Sequence, residues 1–208
     1  MARDQERSAR AAEAPLIAGL PELPGILTAL RLTPGLGTHL SGLADQLLVA
    51  DHPGATITRG ERELIATAVS AGNDCFYCMD THGAFAAELL QRAEVADAAR
   101  LVDLVKTGTT SALSPKVAAL IDIALIVRRS AHQLTAEAVD RALAVGASDA
   151  DTQLAVMIAA AFCMYNRIVD GFRARTPAST EAYKARAEQI ADHGYSDPKT
   201  AAIPGLLP

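Results

Sequence analysis

The chain contains no tryptophan, and aromatic residues of all kinds make up only 4% of it. A β-sandwich core built on large aromatics is not what such a sequence encodes. Half of the residues are hydrophobic, mostly Ala, Leu, Val and Ile, which favours helices packed closely through small side chains. Positive charge is also scarce: 19 Lys and Arg stand against 24 Asp and Glu, for a net charge of −5. With no basic stripe, the composition argues against nucleic-acid binding. No uninterrupted apolar run reaches the roughly 18 residues of a membrane-spanning helix. The longest, Leu154 to Tyr165, is 12 residues and reads as a buried core or subunit-interface helix. The first 15 residues lack an apolar stretch, so no secretory signal is expected. Cysteine is limited to three residues, Cys75, Cys78 and Cys163. Without a signal they point to the reducing cytoplasm, where a Cys-x-x-Cys pair is more often catalytic or metal-binding than structural.

What the sequence does contain is helix after helix, separated by Pro, Gly and Asp. Short helices are predicted over Leu23 to Leu32, halted by Pro34-Gly35, and over Leu36 to Ala50, stopped by Pro53-Gly54. Thr58 with Glu61 forms a Thr-x-x-Glu capping box that opens a helix to about Ala71. Gly72-Asn73-Asp74 makes a turn, with Asn73 or Asp74 capping a helix from Cys75 to Gln91. Ser114-Pro115 starts a helix to about Ala131. Thr135 and Ser148 are further caps, the second opening a long helix through about Phe172, and an amphipathic helix spans Thr180 to Asp192. The fold class is all-α, a single-domain helical bundle with a central helical hairpin. Residues 1–19 are expected to be a mobile N-terminal segment, 20–175 the helical domain, and 176–208 a C-terminal helix followed by a tail from Ser196.

The hairpin carries the chemistry. Cys75 and Cys78 are three residues apart, His82 follows one helical turn later, and Glu63 lies on the preceding helix. A spacing of three puts both sulfurs on one helix face, and a helix N-terminus favours thiolate over thiol. His82, four residues beyond Cys78, can stabilise a thiolate or accept its proton. Antiparallel packing can bring Glu63 to the same cluster. Helix electrostatics favour Cys75 as nucleophile; proximity to the imidazole favours Cys78, which we take as the better candidate. Two blander readings compete: small buried hydrophobes, since free cysteine is often buried, and a zinc site built on Cys-x-x-Cys with a histidine. No second Cys/His pair occurs at ligand spacing. Asp80 reads as solvated, Cys163 as core packing, Tyr165, Asn166 and Arg167 as hydrogen-bonding residues. His39, His52, His132 and His193 read as surface or capping residues.

Glu63, Cys75, Cys78 and His82 at these separations resemble the signature of the alkylhydroperoxidase D-like branch of the carboxymuconolactone decarboxylase-like family. Ser70 to Cys78 and the later Tyr165-Asn166-Arg167-Ile168-Val169-Asp170 resemble its peroxidase-related members in particular. The resemblance implies an all-helical fold, assembly into homo-oligomers, and reduction of a hydroperoxide substrate. In that scheme Cys78 attacks the peroxide, Cys75 resolves the sulfenic acid to a disulfide, Glu63 and His82 relay protons, and an external dithiol reductant protein resets the pair. No cofactor is implied. Two positions depart from the pattern: Tyr77 stands where the best-known family peroxidases have a second histidine, and Cys163 where peroxidase-related members often have Asn. The alternatives are a thiol-disulfide exchange protein and a redox-sensing or zinc-binding helical module.

Overall fold

The computed structural model describes residues 15–177 and 181–200, and its helices are numbered in chain order. They are α1 (Ile26–Leu32), α2 (Pro34–Leu48), α3 (Arg59–Gly72), α4 (Phe76–Arg92), α5 (Ala98–Lys106), α6 (Pro115–Ser130), α7 (Ala136–Ala144), α8 (Asp149–Gly171) and α9 (Glu181–His193). Among the described residues the only extended pairing is an isolated bridge between Pro24 and Arg175. The all-α expectation holds.

α3 is the axis. Leu64, Ile65, Ala66, Ala68 and Val69 are all buried, because α4, α6, α8 and α5 pack around them. Small residues permit the close approach: a Cβ on Gly60 would lie 3.0 Å from the Leu90 side chain on α4. The predicted capping box opens this helix as expected, with Thr58 Oγ1 accepting from the Glu61 amide and Glu61 Oε2 accepting from the Thr58 amide. The Ser114, Thr135 and Ser148 caps are also present. α8 is long and apolar enough to cross a membrane by length and composition, yet half of that stretch is buried inside the fold.

Several boundaries differ from the sequence expectation. α1 ends at Leu32 as expected, but α2 begins at Pro34, two residues before the expected Leu36, because proline is well suited to a first helical turn. α5 has no counterpart in the sequence reading; its start, Asp97, adopts a left-handed conformation and makes no side-chain cap, so the usual signal is missing. Asp80 is buried, not solvated, and its carboxylate accepts from Lys106 Nζ of α5 at 3.0 Å. The segment from Ser196 was expected to be tail. As far as Thr200 it is docked: Ser196 N donates to Asp45 Oδ2 at 2.9 Å, and Pro198–Thr200 forms a short 3-10 turn. The rest of that expected tail, and residues 1–14 of the expected N-terminal segment, lie outside the described residues.

One buried carboxylate ties the loop before α3 to the start of α8. Asp151 completes a capping box with Ser148 and accepts from Thr56 N at 2.6 Å, Thr56 Oγ1 at 2.6 Å and Ile57 N at 3.0 Å. Burial raises its pKa, but the Ser148, Thr56 and Ile57 hydrogen bonds outweigh that and bring it from 3.8 to about 2. Asp151→Ala orphans these donors and should destabilise the fold by about 3 kcal/mol, read as a lowered denaturation midpoint. Because the folded-state value is depressed, the Asp151 contribution is complete above the unfolded value near 4 and is lost as pH falls towards 2. Acid unfolding of the variant should therefore be flatter over that window than that of the parent.

Candidate active site

The turn between α3 and α4 fixes Cys75. Cys75 N donates to Ser70 O at 3.1 Å and Asp74 N to Ala71 O at 3.2 Å, with Asp74 left-handed at φ 55°. This is a Schellman stop to α3. The residue that ends it also begins α4: Cys75 is the N-cap, and Phe76 is the first helical residue. The cap is thus neither Asn73 nor Asp74, and Cys75 lies just before the first turn, not within it. Cys78 occupies the third helical position. The Asn73 side chain instead steadies the turn, donating to Asn166 Oδ1 at 2.8 Å while Asn166 donates to Ser70 Oγ at 3.1 Å. Cys163 is half-buried beside them, its sulfur accepting weakly from Asn73 Nδ2 at 3.7 Å. Asn166 thus supplies a polar side chain one helical turn along from Cys163.

Both sulfurs of the pair are free thiols and both are buried. The hydrogen bond to Cys78, then burial, then electrostatic repulsion from Cys78 drive the Cys75 pKa far up. Cys75 therefore keeps its proton and donates it towards Cys78.

Glu63 and His82 meet as expected. Glu63 is 1% exposed, and its Oε2 lies 2.7 Å from His82 Nδ1. A carboxylate acceptor there assigns the proton to Nδ1 and leaves Nε2 as an acceptor. The imidazole is held edge-on to Phe162, with ring centroids 4.5 Å apart, and lies between Phe85 and Tyr195. His82 and Cys78 line one small cavity of about 60 Å³, room for a few waters, with apolar walls from Leu30, Leu40, Phe85 and Phe162. Cys75 lies behind that wall, packed with Tyr77, Val169 and Tyr183.

The residue that sequence reasoning missed is Tyr195. Its hydroxyl donates to Glu63 Oε1 at 2.5 Å and lies 3.4 Å from His82 Nδ1. Burial, the Glu63 charge and the Glu63 hydrogen bond hold its phenol well above the usual range, so it remains a neutral donor. Gly194, at φ 75°, ends α9 and turns the chain inward; Asp45 Oδ1 then accepts from Tyr195 N at 2.6 Å. The available signal was this glycine, a helix-stopping residue followed at once by an aromatic. Arg186 of α9 also lines the cavity.

Tyr77, the departure between the two cysteines, covers Gly25. A Cβ there would overlap the phenol ring at 2.0 Å, and Gly25 also has φ 52°. Burial pushes the Tyr77 hydroxyl up to about 12, so it is no base at neutral pH and does not replace a histidine. Among the described residues no three His, Cys, Asp or Glu side chains gather as a metal site requires.

Comparison with known proteins agrees with this geometry. Residues 43–110 match the model of the carboxymuconolactone decarboxylase family. No curated protein matches the chain. Among solved structures, an uncharacterised peroxidase-related protein from Ralstonia eutropha JMP134, described as an alkylhydroperoxidase AhpD core, superposes with a TM-score of 0.65. It shares 24% identity over 85% of this chain and 84% of its own. An uncharacterised peroxidase-related protein from Silicibacter sp. TM1040 gives a TM-score of 0.62 at 22% identity, over 72% of this chain and 74% of its own. The segment that holds Glu63, Cys75, Cys78 and His82 thus matches the carboxymuconolactone decarboxylase family, and the chain around it has the fold of the alkylhydroperoxidase AhpD core.

Proposed function

We propose that this protein is a thiol peroxidase that reduces hydroperoxides through Cys78 and Cys75. One observation carries the reading: a thiol pair in which Cys75 holds the proton opens at Cys78 onto a largely apolar cavity shared with a Glu63-bound imidazole. The Cys78 thiolate attacks the nearer peroxide oxygen, the O–O bond breaks, and Cys78 becomes a sulfenic acid while an alkoxide leaves. A proton delivered through His82 converts the alkoxide to alcohol. Cys75 then attacks the sulfenic sulfur, forming the disulfide and expelling water. An external dithiol, oxidised to its own disulfide, returns both cysteines to thiols. Glu63 holds the orientation of His82, and Tyr195 holds Glu63. The cysteine pair disfavours the decarboxylation that names the family, because two electrons and a disulfide have no part in losing carbon dioxide.

The same reading places the protein in the reducing cytoplasm, where a dithiol partner protein is at hand. It also makes the protein a homo-oligomer: α8 leaves Met157 and Met164 exposed at heptad spacing, an apolar strip for a second copy to cover. Sedimentation as a monomer at micromolar concentration would count against the oligomer.

The test is peroxide treatment followed by peptide mapping. Wild type should form a Cys75–Cys78 disulfide reversible by a dithiol. Cys75→Ser should stop at a sulfenic acid on Cys78 that a dione reagent traps; Cys78→Ser should react no faster than free cysteine. Oxidation of Cys75 in the Cys78→Ser protein at the wild-type rate would sink the assignment. Glu63→Gln retains the shape of the side chain without its charge and should slow Cys78 oxidation by about 100-fold, within the range of acid–base contributions. Tyr195→Phe, removing one hydrogen bond, should slow it by about 10-fold. Stopped-flow measurement of disulfide formation ranks the two.

A further inference from the structure

The cavity at Cys78 does not close on itself. Leu30, Ser41, Arg186 and Tyr195 line it and also line an outer groove of about 270 Å³ that runs out between α1, α2 and the segment after α9. Arg186 therefore stands at the junction of an apolar chamber and a path to the surface. One Nη donates to the Thr200 carbonyl, and that is its only acceptor among the described residues. Among the described residues no carboxylate forms a hydrogen bond or ion pair with it. Glu63 is held by His82 and Tyr195, and Asp45 by the Tyr195 and Ser196 amides. Asp197, on the groove wall, accepts from Lys199 N. The charged groups that face the groove besides these are Arg31 at its rim and Arg186 itself. Burial lowers the Arg186 value, with the Tyr77 and Tyr195 phenols as its opposing electrostatic neighbours. A half-buried guanidinium without an anionic partner among the described residues, set in an apolar wall, is a site for an anion from outside.

We infer that Arg186 anchors a carboxylate on the substrate, so that the site takes an amphipathic hydroperoxide: an apolar body ending in a carboxylate. This rests on the peroxidase reading of the same cavity. Geometry supplies the match: the peroxide end meets Cys78 among Leu40, Phe85 and Phe162, and the acid end meets the guanidinium at the mouth. The one cation that also lines the inner cavity, with one of its donors already taken, suits one planar monoanion. A phosphate monoester dianion would leave excess negative charge against the same apolar wall.

Two measurements on the full chain test this. The first is the rate of Cys75–Cys78 disulfide formation with a long-chain fatty-acid hydroperoxide and with its methyl ester. The second is equilibrium binding to the reduced protein of the corresponding hydroxy acid and its methyl ester, which cannot oxidise the thiols. The acid should be favoured over the ester by about 10- to 100-fold in both, the worth of a charge-assisted hydrogen bond. In Arg186→Gln that ratio should collapse towards one through a raised KM for the acid, and Arg186→Lys should restore part of it. An ester that reacts and binds as well as the acid in the wild type overturns the inference, whatever the variants do. So does a ratio that survives Arg186→Gln. If the hydroxy acid binds selectively but no hydroperoxide oxidises the pair, the carboxylate site stands and it is the peroxidase reading that fails.

Discussion

A carboxylate buried in the middle of a helical bundle is the constraint on which the site depends. Taking Glu63 out of water costs several kcal/mol unless its oxygens are bonded. His82 serves one oxygen and Tyr195 the other. These two bonds join three separate parts of the chain: α3, α4 and the segment that follows α9. They also explain why helices so poor in aromatic residues concentrate them here. Phe85, Phe162 and Tyr195 surround the imidazole and exclude the water that would otherwise compete for the charge. The same dry surroundings govern the thiols. Burial and the Cys78 hydrogen bond together keep the proton on Cys75, which is the donor of the pair.

Much of this was legible in the sequence because it depends on neighbours. The Thr58–Glu61 box, the Ser114-Pro115 start and the Ser148 cap each satisfy backbone groups within three residues, and each formed. The Cys75, Cys78 and His82 placement follows from one helix, and that Glu63 meets His82 follows from the short turn between two. What was hidden depends on distance along the chain. Asp80 looked solvated because Lys106, its partner, comes from a helix with no capping signal. Asp151 could be read as a helix-start residue but not as the anchor of Thr56 and Ile57, 95 and 94 positions earlier. Tyr195 had no local pattern that pointed to Glu63, 132 positions away.

The position of Cys75 shows how tightly backbone and chemistry are joined. The residue closes one helix and opens the next, so its amide is committed to Ser70 while its side chain stands at the start of α4. Its backbone is bound on one side by the Schellman turn and on the other by the first turn of α4, which leaves the side-chain torsion as its principal freedom. A disulfide with Cys78 then requires rotation of side chains more than movement of helices.

The late arrival of Tyr195 has a consequence for the birth of the protein. Glu63, Cys75, Cys78 and His82 are made close together, but the phenol that completes the carboxylate's hydrogen bonds comes 132 residues after Glu63. Until then one oxygen of the acid has no phenol to bond, and the wall on which α9 will pack lies open to the solvent around the thiols. The finished geometry, with its arginine-guarded mouth, comes into being only once Tyr195 has joined the fold. A nascent chain of this protein is thus a different chemical species from the released one.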